Sequence, residues 1–272
     1  MENLIYLDNA ATSFPKPEET YVFMDQFYRR YGVNPGRSGY DLCIEAGQIL
    51  EQTRRMLTTF FNGTDWTRLV FSYNSTDALN LALFGLLGPG DHAITTTVEH
   101  NSVLRPLYHL QQFHGVEVDH VHFDSKGFVD PDDIARRFKK NTKVVAINHA
   151  SNVIGTVQPL REVGRRCGEH GVLLVVDTSQ SAGTIPIDVQ AMNIAVACFT
   201  GHKSLMGPMG IGGAYVAEGV TIRHTRAGGT GVKSAQRTHL DEYPYRLEYG
   251  TPNMVGVPYS RPVSYTHLRA HE

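Results

Sequence analysis

From Arg68 onward the hydrophobic positions fall into short apolar runs separated by amphipathic segments. Leu69–Ser72, His92–Thr96, Val116–Phe123, Lys143–Asn148, Val172–Val176, Ala195–Phe199 and Ile211–Val216 read as strands. Residues 77–87, a stretch from about Ser102 to Phe113, 130–138 and 160–170 carry apolar residues at helical spacing. Val172–Val176 is apolar throughout, without alternation, which predicts a strand covered on both faces. Strands that alternate with helices predict βαβ units with right-handed crossovers. The expected fold is α/β, a mostly parallel sheet with helices on both faces.

The first third of the chain is patterned differently. Leu4–Leu7 is a short apolar run that ends in the small, polar loop 8–12. Pro15 and Pro17 open a helix that extends to about Tyr31, with Val22, Phe23, Phe27 and Tyr31 near helical spacing. Asn34–Gly39 is turn chemistry. A long helix over about 41–61 buries the stripe Leu42, Ala46, Ile49, Leu50, Thr53, Leu57 and Phe60, and Asn62-Gly63 ends it. Beyond Val220 the pattern weakens. The expected organisation is an N-terminal segment 1–16, a large domain 17–259 and a tail 260–272 that reads like translated adapter sequence.

Composition narrows the class. With 272 residues, 41% hydrophobic and 19% charged, the chain is neither disordered nor fibrous. A net charge of -2 gives no electrostatic case for nucleic acid or an anionic membrane. No apolar run approaches about 18 residues, and Met1-Glu2-Asn3 has no basic leader pattern, so neither span nor signal peptide is expected. Three scattered cysteines, Cys43, Cys167 and Cys198, suggest a reducing, cytoplasmic setting without disulfides. Thirteen histidines raise a metal hypothesis, but there is no His-Glu-x-x-His pattern, and His120 and His122 share a strand face without a further ligand. No metal is expected. The glycines at 207, 210, 212 and 213 precede a strand, so they are no dinucleotide fingerprint.

Four predicted strand exits carry the polar chemistry: 72–76, 148–152, 177–180 and 200–203. In open α/β sheets, ligands bind outside the carboxyl ends of the strands. Taken singly, each residue has an ordinary reading. Ser75, Thr76 and His100 cap helices, Asp177 is a cap or surface carboxylate, Asn152 is a turn residue and Lys203 is a solvated lysine. Taken together, they supply an acid, an imine-capable amine and a helix N-terminus able to hold a phosphate. A cofactor with a cationic ring nitrogen and an aldehyde would use all three.

Specific segments sharpen this expectation: YLDNAATSFPKP, NPGRSGYDL, NSTDALNLAL, VEHNSVLRP, HASNVIGTVQP, VVDTSQSAG, FTGHKSLMGPMGIGG and YGTPN. In order, from Ile5 to Asn253, they resemble the class V pyridoxal-phosphate-dependent aminotransferase family, in its cysteine desulfurase-like branch, with selenocysteine lyases nearby. The resemblance implies a fold-type-I transferase, pyridoxal 5'-phosphate as cofactor and a homodimer. It implies Lys203 as the Schiff-base lysine and general base. Asp177 would pair with the pyridinium nitrogen. Unit charges about 4 Å apart attract by roughly 4 kcal/mol at an effective dielectric of about 20, enough to keep that nitrogen protonated. Gln180 would bond the phenolic oxygen, with Asn152 at the same edge. His100 would stack on the ring and move protons. Ser75, Thr76, Thr200 and His202 would hold the phosphate, and Thr251 would reach the phosphate of the neighbouring subunit. Asn9, Ala10, Ala11 and Arg37, with Asn152, match segments near the substrate.

There is one large departure. In the family a small C-terminal domain follows the segment that YGTPN matches, carrying the sulfur-accepting cysteine and an arginine for the substrate carboxylate. Cys43, Cys167 and Cys198 do not occupy the matching position. The chain is therefore expected to be a fragment with little or no turnover. Its parent would take L-cysteine to L-alanine and an enzyme-bound persulfide, and would hand sulfur to an acceptor protein. The alternatives are a selenocysteine lyase or aminotransferase on the same scaffold, a non-catalytic cofactor-binding dimer, and a nucleotide-binding α/β domain.

Overall fold

A computed structural model describes residues 4–35 and 39–257; the predicted tail 260–272 and Arg37 lie outside the described residues. The long amphipathic segments form α1 (Glu18–Tyr31), α2 (Asp41–Phe60), α3 (Ser75–Leu86), α4 (Asn101–His114), α5 (Pro131–Ala135) and α6 (Leu160–Glu169). The apolar runs form β1 (Leu69–Ser72), β2 (His92–Thr96), β3 (Glu117–Val121), β4 (Thr142–Asn148), β5 (Leu173–Asp177), β6 (Val196–Thr200) and β7 (Gly212–Val216). They make one seven-stranded sheet in the order β1-β7-β6-β5-β4-β2-β3. Every pairing is parallel except those of β7, which runs antiparallel to both β6 and β1.

The continuous apolar runs divide their residues between two cores, because side chains alternate across a strand. On β4, Val145 and Ile147 enter one core, while Val144 and Ala146 enter the other. On β6, Ala197 and Phe199 take the first face and Val196 and Cys198 the second. The first core is closed by Leu57 of α2, Ile134 of α5 and Leu160, Val163 and Cys167 of α6. The second is closed by Leu79 and Leu83 of α3 and Val103, Leu107 and Leu110 of α4. Phe27, Ala46 and Met254 form a separate small cluster that seats α1 on α2.

The structure corrects several expected boundaries. The helix predicted from Asp77 starts at Ser75, because the Asn74 side chain accepts from Asp77 N. The strand predicted to reach Phe123 ends at Val121, and the helix predicted over 130–138 spans only Pro131–Ala135. Leu4, Ile5 and Leu7 are exposed and form no strand.

β1 is an edge strand, and a buried ion pair covers its outer rim. Arg54 (α2) and Glu248 meet in a two-pronged contact, Nη1 to Oε1 at 2.7 Å and Nη2 to Oε2 at 3.0 Å. Arg54 also donates to Leu69 O, and Glu248 Oε1 accepts from Phe71 N at 2.7 Å. The pair thus takes up a carbonyl and an amide that an edge strand otherwise leaves bare. Removing one partner strands a buried charge. Arg54→Ala is expected to cost about 3–5 kcal/mol in urea unfolding, and a loss below about 1 kcal/mol would show the pair to be incidental.

Candidate active site

The exits of β4, β5 and β6 and the start of α3 meet on one side of the sheet. Asp177 ends β5 and is buried. Its Oδ1 accepts from Ser75 Oγ at 3.2 Å, Ser179 N at 2.9 Å and Ser179 Oγ at 2.5 Å. Among the described residues, Oδ2 accepts no hydrogen bond. The carboxylate is therefore anchored through one oxygen and open on the other.

Two glycines allow this convergence. A Cβ on Gly212 of β7 would lie 2.6 Å from Asn74 C, so only glycine lets the start of α3 approach so closely. Gly183 has φ +100°, and a Cβ there would lie 2.5 Å from Ser204 O, so the loop after β5 can press on the backbone that follows Lys203.

Lys203 follows β6 in a tight loop closed by Met206 N to Lys203 O at 2.7 Å and Gly207 N to Gly201 O at 2.7 Å. Among the described residues its Nζ makes neither a hydrogen bond nor an ion pair. Burial lowers its pKa below the ordinary lysine value, and the charge of Asp177 pulls it back up. Thr200 is buried, and its Oγ1 has no partner among the described residues. Burial, then the charges of Lys203 and Lys16, hold His202 below its ordinary value.

The N-terminal segment docks on this loop. Thr12 Oγ1 donates to His202 O at 2.9 Å, Ser13 N donates to the same carbonyl at 3.2 Å, and Lys16 Nζ donates to it as well. Gln180 Nε2 donates to Ala10 O at 2.9 Å. Asn9 Oδ1 accepts from Phe14 N, and Ala11 N donates to Asp8 O, so the loop 8–14 is folded on itself. Burial also brings Lys16 down to about 8. The sequence reading missed Lys16, although its position in the segment SFPKP was in view.

Of the other predicted residues, His100 and Asn152 take the ordinary positions of a cap and a turn, whereas Ser75 does not cap its helix. The cap of α3 is Asn74, and the Ser75 hydroxyl goes to Asp177. Backbone N–H groups of Ser75 and Thr76 remain without a partner among the described residues. His100 caps α4, its Nδ1 accepting from Ser102 N at 3.1 Å. Asn152 is exposed in a turn closed by the Ala150–Val157 bridge. Thr251 sits apart, its Oγ1 accepting from Asn34 Nδ2 at 3.4 Å, and lines a cavity of about 350 Å³ with Arg54, Phe71 and Tyr243. That cavity touches neither Asp177 nor Lys203. No three His, Cys, Asp or Glu side chains converge as metal ligands among the described residues, and none of their helices is long and apolar enough to cross a membrane.

The family model described as aminotransferase class-V matches residues 5–261. The chain belongs to this family. It is 34% identical over 257 residues to a probable cysteine desulfurase of Methanothermobacter thermautotrophicus, covering 93% of this chain and 64% of that protein. A probable cysteine desulfurase of Pyrococcus abyssi is also 34% identical, over 94% of this chain and 65% of that protein. The chain thus spans slightly less than two thirds of these curated relatives. Among solved structures, the apo cysteine desulfurase of Thermococcus onnurineus superposes with a TM-score of 0.90 at 32% identity, over 98% of this chain and 68% of that one. A NifS-like protein gives 0.86 at 27% identity, over 97% and 70%. The fold is that of the fold-type-I pyridoxal-phosphate enzymes.

The residues present fit pyridoxal 5'-phosphate. They offer an open carboxylate oxygen on Asp177, an unengaged amine on Lys203, an orphaned hydroxyl on Thr200 and bare N–H groups at the start of α3. The opposition of Asp177 and Lys203 gives a direct test. Asp177→Asn keeps an acceptor for Ser75 but removes the charge that raises the Lys203 pKa. More of the amine is then neutral at pH 8, and acylation of Lys203, followed by mass spectrometry across pH, should be faster than in the parent chain. An unchanged or slower rate would refute the coupling.

Proposed function

We propose that this chain is the cofactor-binding part of a cysteine desulfurase, acting on L-cysteine with pyridoxal 5'-phosphate. The observation that carries the reading is Asp177, with Oδ1 saturated by serine donors and Oδ2 open, beside an amine that bonds to nothing. The names of the relatives support the choice of substrate.

When bound, the cofactor supplies an electron-withdrawing ring that makes a substrate α-proton acidic. The chain's own residues do the rest. Asp177, through its open Oδ2, would hold the ring nitrogen in its charged form. Ser75 and Ser179 fix the carboxylate so that it does not turn away. Lys203 Nζ, its pKa lowered by burial, is the base that takes and returns the proton at the substrate α-carbon. Thr200 Oγ1, His202 and the N–H groups of Ser75 and Thr76 hold the phosphate. His100 would stack on the ring, and Gln180 would bond its phenolic oxygen. Asn9, Ala10, Ala11, Arg37 and Asn152 meet the substrate. Overall the carbon–sulfur bond of L-cysteine breaks, sulfur passes to an enzyme thiolate as a persulfide, and the carbon skeleton leaves as L-alanine.

The sulfur-accepting thiol is not Cys43, Cys167 or Cys198. All three are buried. Burial pushes Cys167 up to about 12 and Cys198 well above its ordinary value, so neither offers a thiolate. The reading also makes the protein a homodimer, with the exposed Thr251 offered to the partner subunit, and a cytoplasmic donor to a sulfur-acceptor protein.

Mixing the chain with pyridoxal 5'-phosphate should produce a visible absorption band, and borohydride should fix the vitamin on Lys203. Lys203→Ala should abolish the band, and Asp177→Ala should weaken uptake by about tenfold or more, or about 1.4 kcal/mol. With L-cysteine the band should shift while little sulfide is released. No band, or borohydride labelling elsewhere, defeats the cofactor reading. Steady release of alanine and sulfide at the rate of a full-length relative defeats the account of the cysteines.

A further inference from the structure

The exit of β2 holds a carboxyl group that the cofactor reading leaves without a task. Glu99 is 8% exposed. Its Oε1 accepts from Thr96 Oγ1 at 2.6 Å, and the backbone of Asn148 on β4 bonds to the same carboxyl. Its Oε2 is buried without a partner. Among the described residues no Lys, Arg or His forms an ion pair with it. The charge that acts on it is Asp177, at the exit of β5, with β4 between them.

Asn148 links the two exits. It pairs with Asp177 in the β4–β5 register, donates from Nδ2 to Val98 O at 2.8 Å, and has a buried Oδ1 without a donor. His149, the residue just after β4, carries no compensating charge, because burial lowers it to about 4. The charge of Asp177 acts on Lys203, and among the described residues no cation acts on Glu99. A buried carboxylate with no cation beside it is costly, and a second negative group nearby makes it costlier. Keeping the proton removes both penalties and turns Oε2 from an orphaned acceptor into a donor. Burial raises Glu99 to about 8, against an ordinary value of 4.5.

We propose that Glu99 is a positioning residue of the cofactor site, an uncharged carboxylic acid that leaves Asp177 as the only negative charge at the β2, β4 and β5 exits. The role rests on the cofactor reading, because it is exerted through Asp177. An ionised Glu99 would add a second negative potential beside Asp177 at the cofactor end of the sheet. The protonated group fixes the β2 exit, from Thr96 to the His100 cap, without doing so.

Infrared difference spectra of the chain against Glu99→Gln at pH 7 test the protonation state without cofactor. The carbonyl stretch of a protonated acid should be present, be lost in the variant, and fade as pH rises above about 8. Stability gives an independent reading. Between about 4.5 and about 8 the folded chain holds a proton that the unfolded chain has released. That contribution should decline as pH rises through the window and be missing from Glu99→Gln. The variant should take up pyridoxal 5'-phosphate within about twofold of the parent, while Glu99→Ala, which leaves Thr96 and the Asn148 N–H unpartnered, should lose about tenfold. No carbonyl band at pH 7, or parallel stability curves for parent and Glu99→Gln, overturns the proposal. A carbonyl band in a chain that takes up no cofactor overturns the cofactor reading, and the role of Glu99 falls with it, though its protonation state stands.

Discussion

The site depends on how a buried carboxylate is kept charged without a cation bonded to it. Asp177 is almost fully enclosed, and its nearest donors are neutral. Such a group costs several kcal/mol to bury unless its oxygens are satisfied. Three donors on Oδ1 meet that requirement on one side, and they come from the start of α3 and the loop after β5. The position of α3, set by the glycines of β7, therefore decides whether Asp177 can sit where it does. Lys203 then feels the carboxylate across a gap rather than closing on it. A direct ion pair would satisfy both groups and leave neither for a ligand.

Much of this was legible in the sequence. Unbroken apolar runs gave the strands, because a strand buried on both faces has no polar side to show. Asp177 and Lys203 stood out because the first directly follows such a run and the second lies four residues beyond one. The limits of legibility have physical causes too. Asn74 caps α3 although Ser75 and Thr76 beside it are equally capable residue types, and only the bond from Ser75 to Asp177, 102 residues away, decides between them. Glu99 drew no functional reading from the sequence, and only its burial against Thr96 sets it apart. The exposed run Leu4–Leu7 shows the reverse case, since local hydrophobicity alone cannot say whether a segment has anything to pack against.

The N-terminal segment joins the site mainly through backbone carbonyls, at His202 and Ala10, with one side-chain contact, Thr12 Oγ1 to His202 Nδ1 at 3.0 Å. Thr12, Ser13 and Lys16 converge on a single oxygen next to Lys203. Movement of the loop that carries the amine is thereby coupled to residues almost 190 positions earlier. The same arrangement places a second half-buried amine near the first. Lys16 bonds to the His202 carbonyl, while Lys203 has no bonding partner among the described residues, so the second amine is held in place and the first is left open.

The ion pair on the rim of β1 also bears on synthesis. Leu69–Ser72 leaves the ribosome long before its ladder partner Gly212–Val216, and longer still before Glu248. Until Gly212 is made, both sides of that strand are bare in the nascent polypeptide. Contacts so distant in sequence form late and slowly. The ordering makes β1 the segment most in need of chaperone cover during translation.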